Sequence, residues 1–176
     1  MSLNTEDSLI LCIDIQEKLL NAACHKDIVS KNSKIISQAA EILEIPMIIT
    51  EQYPKGLGKT IEGINSEHVF EKKDFNCGAN QELISLIKSM KIKNILLMGI
   101  ETHICVWQSA IFFKESGYDV TVISNASSSR NEFEHESAIQ CFINNGINVK
   151  TTEMVLFELL KTANHPQFKS VQALIK

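Results

Sequence analysis

Three residue types in this chain of 176 residues could together attack a carbonyl: an aspartate at 14, a lysine in the pair Lys72-Lys73, and a cysteine at 105. A carboxylate can take a proton, an ammonium can hold negative charge in place, and a thiol can form a covalent acyl intermediate. Each also has a plain structural reading. An aspartate after a strand commonly serves a turn, a lysine there is commonly solvated, and a cysteine on an apolar helix commonly packs as a small core residue. Position singles these three out. Each follows an apolar run: LILCI at 9–13, VFE at 69–71 and ILLMGI at 95–100.

Cys105 has a further setting. Gly99 ends its run and frees the backbone for a turn, and Thr102 has the chemistry of a helix N-cap. That puts Cys105 in a first helical turn, where unpaired N–H groups favour a thiolate. A free thiol is only about 3% ionised at neutral pH, and lowering its pKa to about 6 takes ~3.4 kcal/mol. A helix end supplies ~1–2 kcal/mol, so a cation must supply the rest. Cys105 is therefore expected to be the most acidic of the five thiols, with the lysine beside it.

The elements that must position these groups alternate. Apolar runs at 9–13, 46–50, 69–71, 95–100 and 119–124, with the alternating 147–150, predict six strands. Apolar residues at helical spacing predict helices over 31–43, 83–90, 102–115, a stretch behind 129–132, 153–161, and a last one holding Phe168, Val171 and Ile175. Ser129 and Glu132 have the form of a capping box. Residues 51–68 read as a long loop. Alternating strand and helix, with strands apolar throughout, predicts a three-layer α/β/α sandwich around a six-stranded, mostly parallel, Rossmann-like sheet. Nothing divides the chain, so 1–176 reads as a single domain. In such sheets ligands bind beyond the carboxyl ends of the strands, where the three residues fall.

Composition narrows the class. The chain is 44% apolar and 22% charged with formal net charge −4, which fits a globular protein and disfavours a nucleic-acid partner. No apolar run is long enough for a membrane span. The acidic, polar start and the five scattered cysteines without a CxxC pair suggest reduced thiols and a cytoplasmic location. The five histidines lack HxxxH or HxH spacing, so no metal and no cofactor is expected. Gly58-Lys59-Thr60 lacks the upstream glycine of a phosphate-binding loop. Trp107 and Phe112 read as core.

Leu11-Cys12-Ile13-Asp14-Ile15-Gln16, Thr50-Glu51-Gln52-Tyr53-Pro54, Phe70-Glu71-Lys72, Gly99-Ile100-Glu101-Thr102-His103-Ile104-Cys105-Val106, Ser128-Ser129-Arg130 and His165-Pro166-Gln167-Phe168-Lys169 resemble, in order and over nearly the whole chain, the isochorismatase-like cysteine hydrolase family, nearest its small isochorismatase-domain members. The resemblance implies a catalytic triad of Asp14, Lys72 and Cys105, with Lys72 chosen over Lys73 because Phe75 follows it by three. It implies a cis peptide at Ile100–Glu101 that directs the Glu101 N–H to an oxyanion hole shared with Cys105. It also implies a pocket bearing Gln16, Tyr53, Phe75, Thr102 and His103. The cysteine argues against isochorismate as substrate. The lack of an Asp-x-His after the second strand argues against the metal site of nicotinamidases.

The expected function is metal-independent hydrolysis of a small amide or related C–N bond, through a thioester on Cys105, by a homo-oligomer (dimer or larger) acting on a small molecule. The rival readings are a non-enzymatic binding or scaffold protein and a redox-sensing thiol protein pairing Cys105 with Cys77.

Overall fold

The computed structural model describes residues 3–176. Six strands form one sheet: β1 (Ser8–Ile13), β2 (Met47–Gln52), β3 (His68–Lys72), β4 (Asn94–Ile100), β5 (Asp119–Ser128) and β6 (Asn148–Lys150). Their order is β3-β2-β1-β4-β5-β6, and every neighbouring pair is parallel. The sequence β1 to β3 builds one way from the centre and β4 to β6 the other. The sheet therefore changes direction between β1 and β4, which opens a crevice at their carboxyl ends.

The central strands are buried on both faces, which is why SLILCI and NILLMGI are apolar almost throughout. Alternate residues feed two cores. Ile10, Cys12, Leu96, Met98 and Ile100 pack with α2 (Lys26–Ile42), α7 (Thr152–Leu160) and α8 (Phe168–Leu174). Leu9, Leu11, Ile13, Ile95 and Leu97 pack on the other face with α4 (Gln81–Ser89), α5 (Trp107–Glu115) and α6 (Glu132–Asn144). Trp107 and Phe112 pack against this second core, as expected.

Several boundaries differ from expectation. A short α1 (Glu17–Ala22) precedes α2, and a one-turn α3 (Pro54–Leu57) interrupts the segment read as loop. β5 runs on to Ser128 because a register shift opposite Leu97 and Gly99 lets its polar end keep pairing with β4. The cap of α6 is Asn131, which accepts from the Glu134 N–H at 3.0 Å. Ser129 is not the cap, because its hydroxyl meets His103 Nδ1 at 2.9 Å. Asn80 caps α4 in the same way, accepting from the Leu83 N–H at 3.0 Å. Among the described residues no helix is long and apolar enough to cross a membrane.

Candidate active site

β1 and β4 come so close at their ends that a Cβ on Gly99 would lie 2.2 Å from the Ile13 carbonyl oxygen. Only glycine fits there, and the close approach sets the ends of the two strands side by side. Asp14, the residue after β1, leaves the sheet with φ 54, a left-handed conformation that aspartate tolerates better than most residues. Its carboxylate is 0% exposed. Thr50 Oγ1 donates to Oδ1 at 2.8 Å, and Lys72 Nζ donates to Oδ2 at 2.6 Å.

Lys72 ends β3 and is also buried. Its ammonium has three hydrogens and three acceptors: Asp14 Oδ2, Gln52 Oε1 at 2.7 Å and the Asp74 carbonyl at 3.2 Å. Lys73 is exposed. Cys105 lies in a π-helical turn, Thr102–Val106, between β4 and α5, and is 5% exposed. Its thiol hydrogen-bonds to the Asp14 carboxylate and also feels the Lys72 ammonium. A second buried thiol, Cys77, stands 3.9 Å from Thr50 Oγ1. The peptide between Ile100 and Glu101 is cis.

The electrostatics differ from the expected acidic thiol. Burial pushes the Cys105 thiol up, the Asp14 carboxylate pushes it further, and Lys72 opposes them only in part, leaving it at about 12. All three hydrogens of Lys72 are already engaged, and the Asp14 carboxylate acts on the sulfur more strongly than the ammonium does. Burial also raises Asp14 above its ordinary range, although Lys72 and Thr50 oppose the shift. Burial would lower Lys72, but the Asp14 carboxylate outweighs it and holds the ammonium charged. The resting cluster is thus a carboxylate–ammonium pair beside a neutral thiol. At pH 6.5 iodoacetamide is expected to modify the exposed Cys24 and Cys141 before Cys105. Peptide mapping of the native protein checks this, and Cys105 labelled first would contradict it.

Of the surrounding residues, Thr102 departs from expectation. Thr102 does not cap a helix through its side chain; its hydroxyl pairs with His135 Nδ1 at 2.9 Å. His103 is held by Ser129. Gln16 is fully buried, donating to the carbonyls of Gln52 at 3.0 Å and Gly58 at 2.6 Å and accepting from the Gln52 N–H at 2.7 Å. These amide contacts position backbone. Tyr53 and Phe75 are exposed, on the loops either side of Lys72. Thr50 and Gln52 are the contributors that the sequence left without a role. They lie two apart at the end of β2 and so face the same side of the sheet. Three polar residues, Thr50, Glu51 and Gln52, closing an otherwise apolar strand were the available signal.

Gly58, Lys59 and Thr60 form a strap over this end of the sheet. Glu51, 3% exposed, accepts from the Thr60 N–H at 2.8 Å, Thr60 Oγ1 at 2.9 Å and Lys59 Nζ at 3.1 Å. Burial pushes the Glu51 carboxyl up, but these donors win and hold it below its usual range. A carboxyl lowered by folding adds stability above its unfolded pKa and loses it as pH falls through the folded value. Glu51→Gln is therefore expected to lower Tm at neutral pH, with the gap to the parent protein closing in acid. Thermal unfolding across pH reads this, and a gap independent of pH would contradict it.

A surface cleft of about 840 Å³ lies at the other end of the sheet, beside Met47, His68 and the end of α2. It holds none of the three reactive groups. Among the described residues no group of three or more His, Cys, Asp or Glu could hold a metal ion.

Comparison with known proteins agrees with this architecture. The model of the isochorismatase domain matches residues 8–154. Isochorismatase family protein 1B of Dictyostelium discoideum is 38% identical over 179 residues, covering 97% of this chain and 87% of that protein. The structure of MAR1 ribonuclease from Caenorhabditis elegans aligns with a TM-score of 0.93 at 34% identity, covering 99% of this chain and 92% of that one. The YcaC gene product of Escherichia coli, described as an octameric hydrolase of unknown specificity, shares the fold with a TM-score of 0.87 at 22% identity, covering 98% and 95%. The chain belongs to the isochorismatase family.

Proposed function

We propose that this protein is a cysteine hydrolase that cleaves a small amide or related C–N bond, with Asp14, Lys72 and Cys105 as its catalytic residues. The observation that carries the reading is the buried contact of Lys72 Nζ with Asp14 Oδ2 at 2.6 Å beside the Cys105 thiol. A buried ion pair is costly to desolvate and adds little stability by itself, so it calls for a chemical role. Because the thiol is neutral at rest, it is deprotonated as it attacks. Asp14 takes the proton while the sulfur–carbon bond forms, and charge collects on the carbonyl oxygen.

The N–H groups of Glu101 and Cys105 hold that oxyanion. Asp14 then passes its proton to the leaving nitrogen as the C–N bond breaks, leaving a thioester on Cys105. In the second half Asp14 takes a proton from water, the resulting hydroxide displaces the sulfur, and the thiol recovers the proton. Lys72 keeps Asp14 ionised between these steps. No step calls for a metal or cofactor. Near-complete burial of all three groups limits the acyl part to something small. Association into a homo-oligomer belongs to the same proposal, because Phe133, Ile143 and Met154 leave apolar surface exposed; sedimentation reads it.

The test is ammonia or amine release from a panel of small amides, carbamoyl compounds and nicotinamide, with and without EDTA. An RNA arm addresses the activity in the description of the C. elegans relative. Amide turnover that survives EDTA is expected. RNA cleavage without amide turnover, or amide turnover lost with a chelated metal, would overturn the reading.

A further inference from the structure

A cavity of about 220 Å³ lies at the end of β5, away from the three catalytic residues, lined by His25, Ile28, Val29, Ser124, Asn125, Ser127 and His135. The hydrogen bonding of its polar walls is one-sided. Asn125 Oδ1 accepts from the Thr152 N–H at 2.8 Å and from Thr152 Oγ1 at 2.9 Å. A backbone N–H on that atom fixes the amide's orientation, so Nδ2 is the atom left over. Ser127 is 2% exposed, and its Oγ accepts from the Gly99 N–H at 3.1 Å, which leaves its hydroxyl hydrogen without an acceptor. Ser124 directs its own hydroxyl to the Lys150 carbonyl at 3.4 Å. His135 engages Nδ1 with Thr102 and keeps Nε2. His25 places Nε2 3.5 Å from Glu132 and keeps Nδ1. The acceptors of Asn125 and Ser127 are satisfied from within the protein while their donors remain, and each imidazole keeps one ring nitrogen whose role its tautomer sets. Ile28 and Val29, in the first turns of the 17-residue α2, complete the wall near that helix's positive end.

We propose that this cavity binds a small oxyanion, of the size and chemistry of phosphate or a short carboxylate. Its donors are Asn125 Nδ2 and the Ser127 hydroxyl, joined by the free ring nitrogens of His25 and His135 when they carry a hydrogen. The carboxylate that faces the two histidines, Glu132, has 66% of its side chain exposed and stands outside the lining. The two rings are edge to face with centroids 6.3 Å apart, a spacing that leaves room for one anion to contact both. His135 links the cavity through Thr102 to the turn that carries Cys105, so the site is separate from the thiol but adjoins its support.

The test is a titration of the full chain with inorganic phosphate, and separately with acetate, against chloride at matched ionic strength. The readout is the imidazole resonances of His25 and His135. Saturable shifts of both are expected with phosphate, acetate or both, and which one saturates identifies the class. The shifts are expected to persist in Cys105→Ser, which separates this site from hydrolysis. Asn125→Asp keeps the acceptor for Thr152 but replaces the donor with a charged oxygen. It is expected to weaken binding at least about tenfold, the size expected for loss of a hydrogen bond to a charged group. His25→Phe, at the rim, is expected to weaken it as well and serves if Asn125→Asp unfolds. Shifts that never saturate, or that chloride reproduces, would overturn the proposal. So would unchanged affinity in the folded variants.

Discussion

Asp14→Asn is expected to reduce amide turnover by roughly 10³-fold or more, the scale set by removing a general acid–base group. Asparagine keeps the shape and can still accept from Thr50, but it cannot take the thiol proton or return it to the leaving nitrogen. The same substitution is expected to make Cys105 more reactive toward iodoacetamide. After burial, the carboxylate is the largest influence that raises the thiol, and Lys72, which opposes it, remains. Turnover and alkylation should therefore move in opposite directions. If both fell together, or if turnover survived, Asp14 would not be the base.

Lys72→Met is expected to destabilise the fold by about 3–5 kcal/mol, because it leaves a buried carboxylate without its partner. The pair has side-chain exposures of 3% and 0%, so solvent does little to soften the loss. The sign of the pH dependence follows. Without the ammonium, only the hydrogen bonds from Thr50 and Cys105 oppose burial at Asp14, so its pKa in the variant rises further above the unfolded value. The penalty is then full where Asp14 would be ionised in the unfolded chain, and it shrinks as pH falls and the group becomes neutral in both states. Denaturant unfolding at a series of pH values reads this. A loss that did not diminish in acid would show that Lys72 stabilises by packing. Turnover is also expected to fall, because the acid form of Asp14 cannot receive the thiol proton.

Strands buried on both faces were readable because their composition leaves little alternative: β1 and β4 are apolar and wholly buried. The far end of β5 was not, because 125–128 read NASS and pair only through a register shift set by β4. The cap of α6 was ambiguous in type, since both Ser129-x-x-Glu132 and Asn131-x-x-Glu134 fit the pattern. Burial of Ser129 against His103 decides between them. Asp14 and Cys105 stood out because each follows a strand, and the fold brings such residues to one rim. The ionisation of Cys105 could not be read in the same way. It depends on which charge acts more strongly on the sulfur, and spacing along the chain does not say that the Asp14 carboxylate outweighs Lys72 there. The hydrogen bonds of Thr50 and Gln52 were hidden for a related reason, since their partners arrive from β1 and β3.

The central claim is a covalent acyl-enzyme on Cys105. It is tested most directly by acid-quenching the protein during turnover of an amide from the panel, and measuring intact mass followed by peptide mapping. The account predicts a mass increase equal to the acyl group, located on the peptide containing Cys105, sensitive to hydroxylamine and absent in Cys105→Ser. Turnover that persists in Cys105→Ser with no adduct on the parent protein would contradict it.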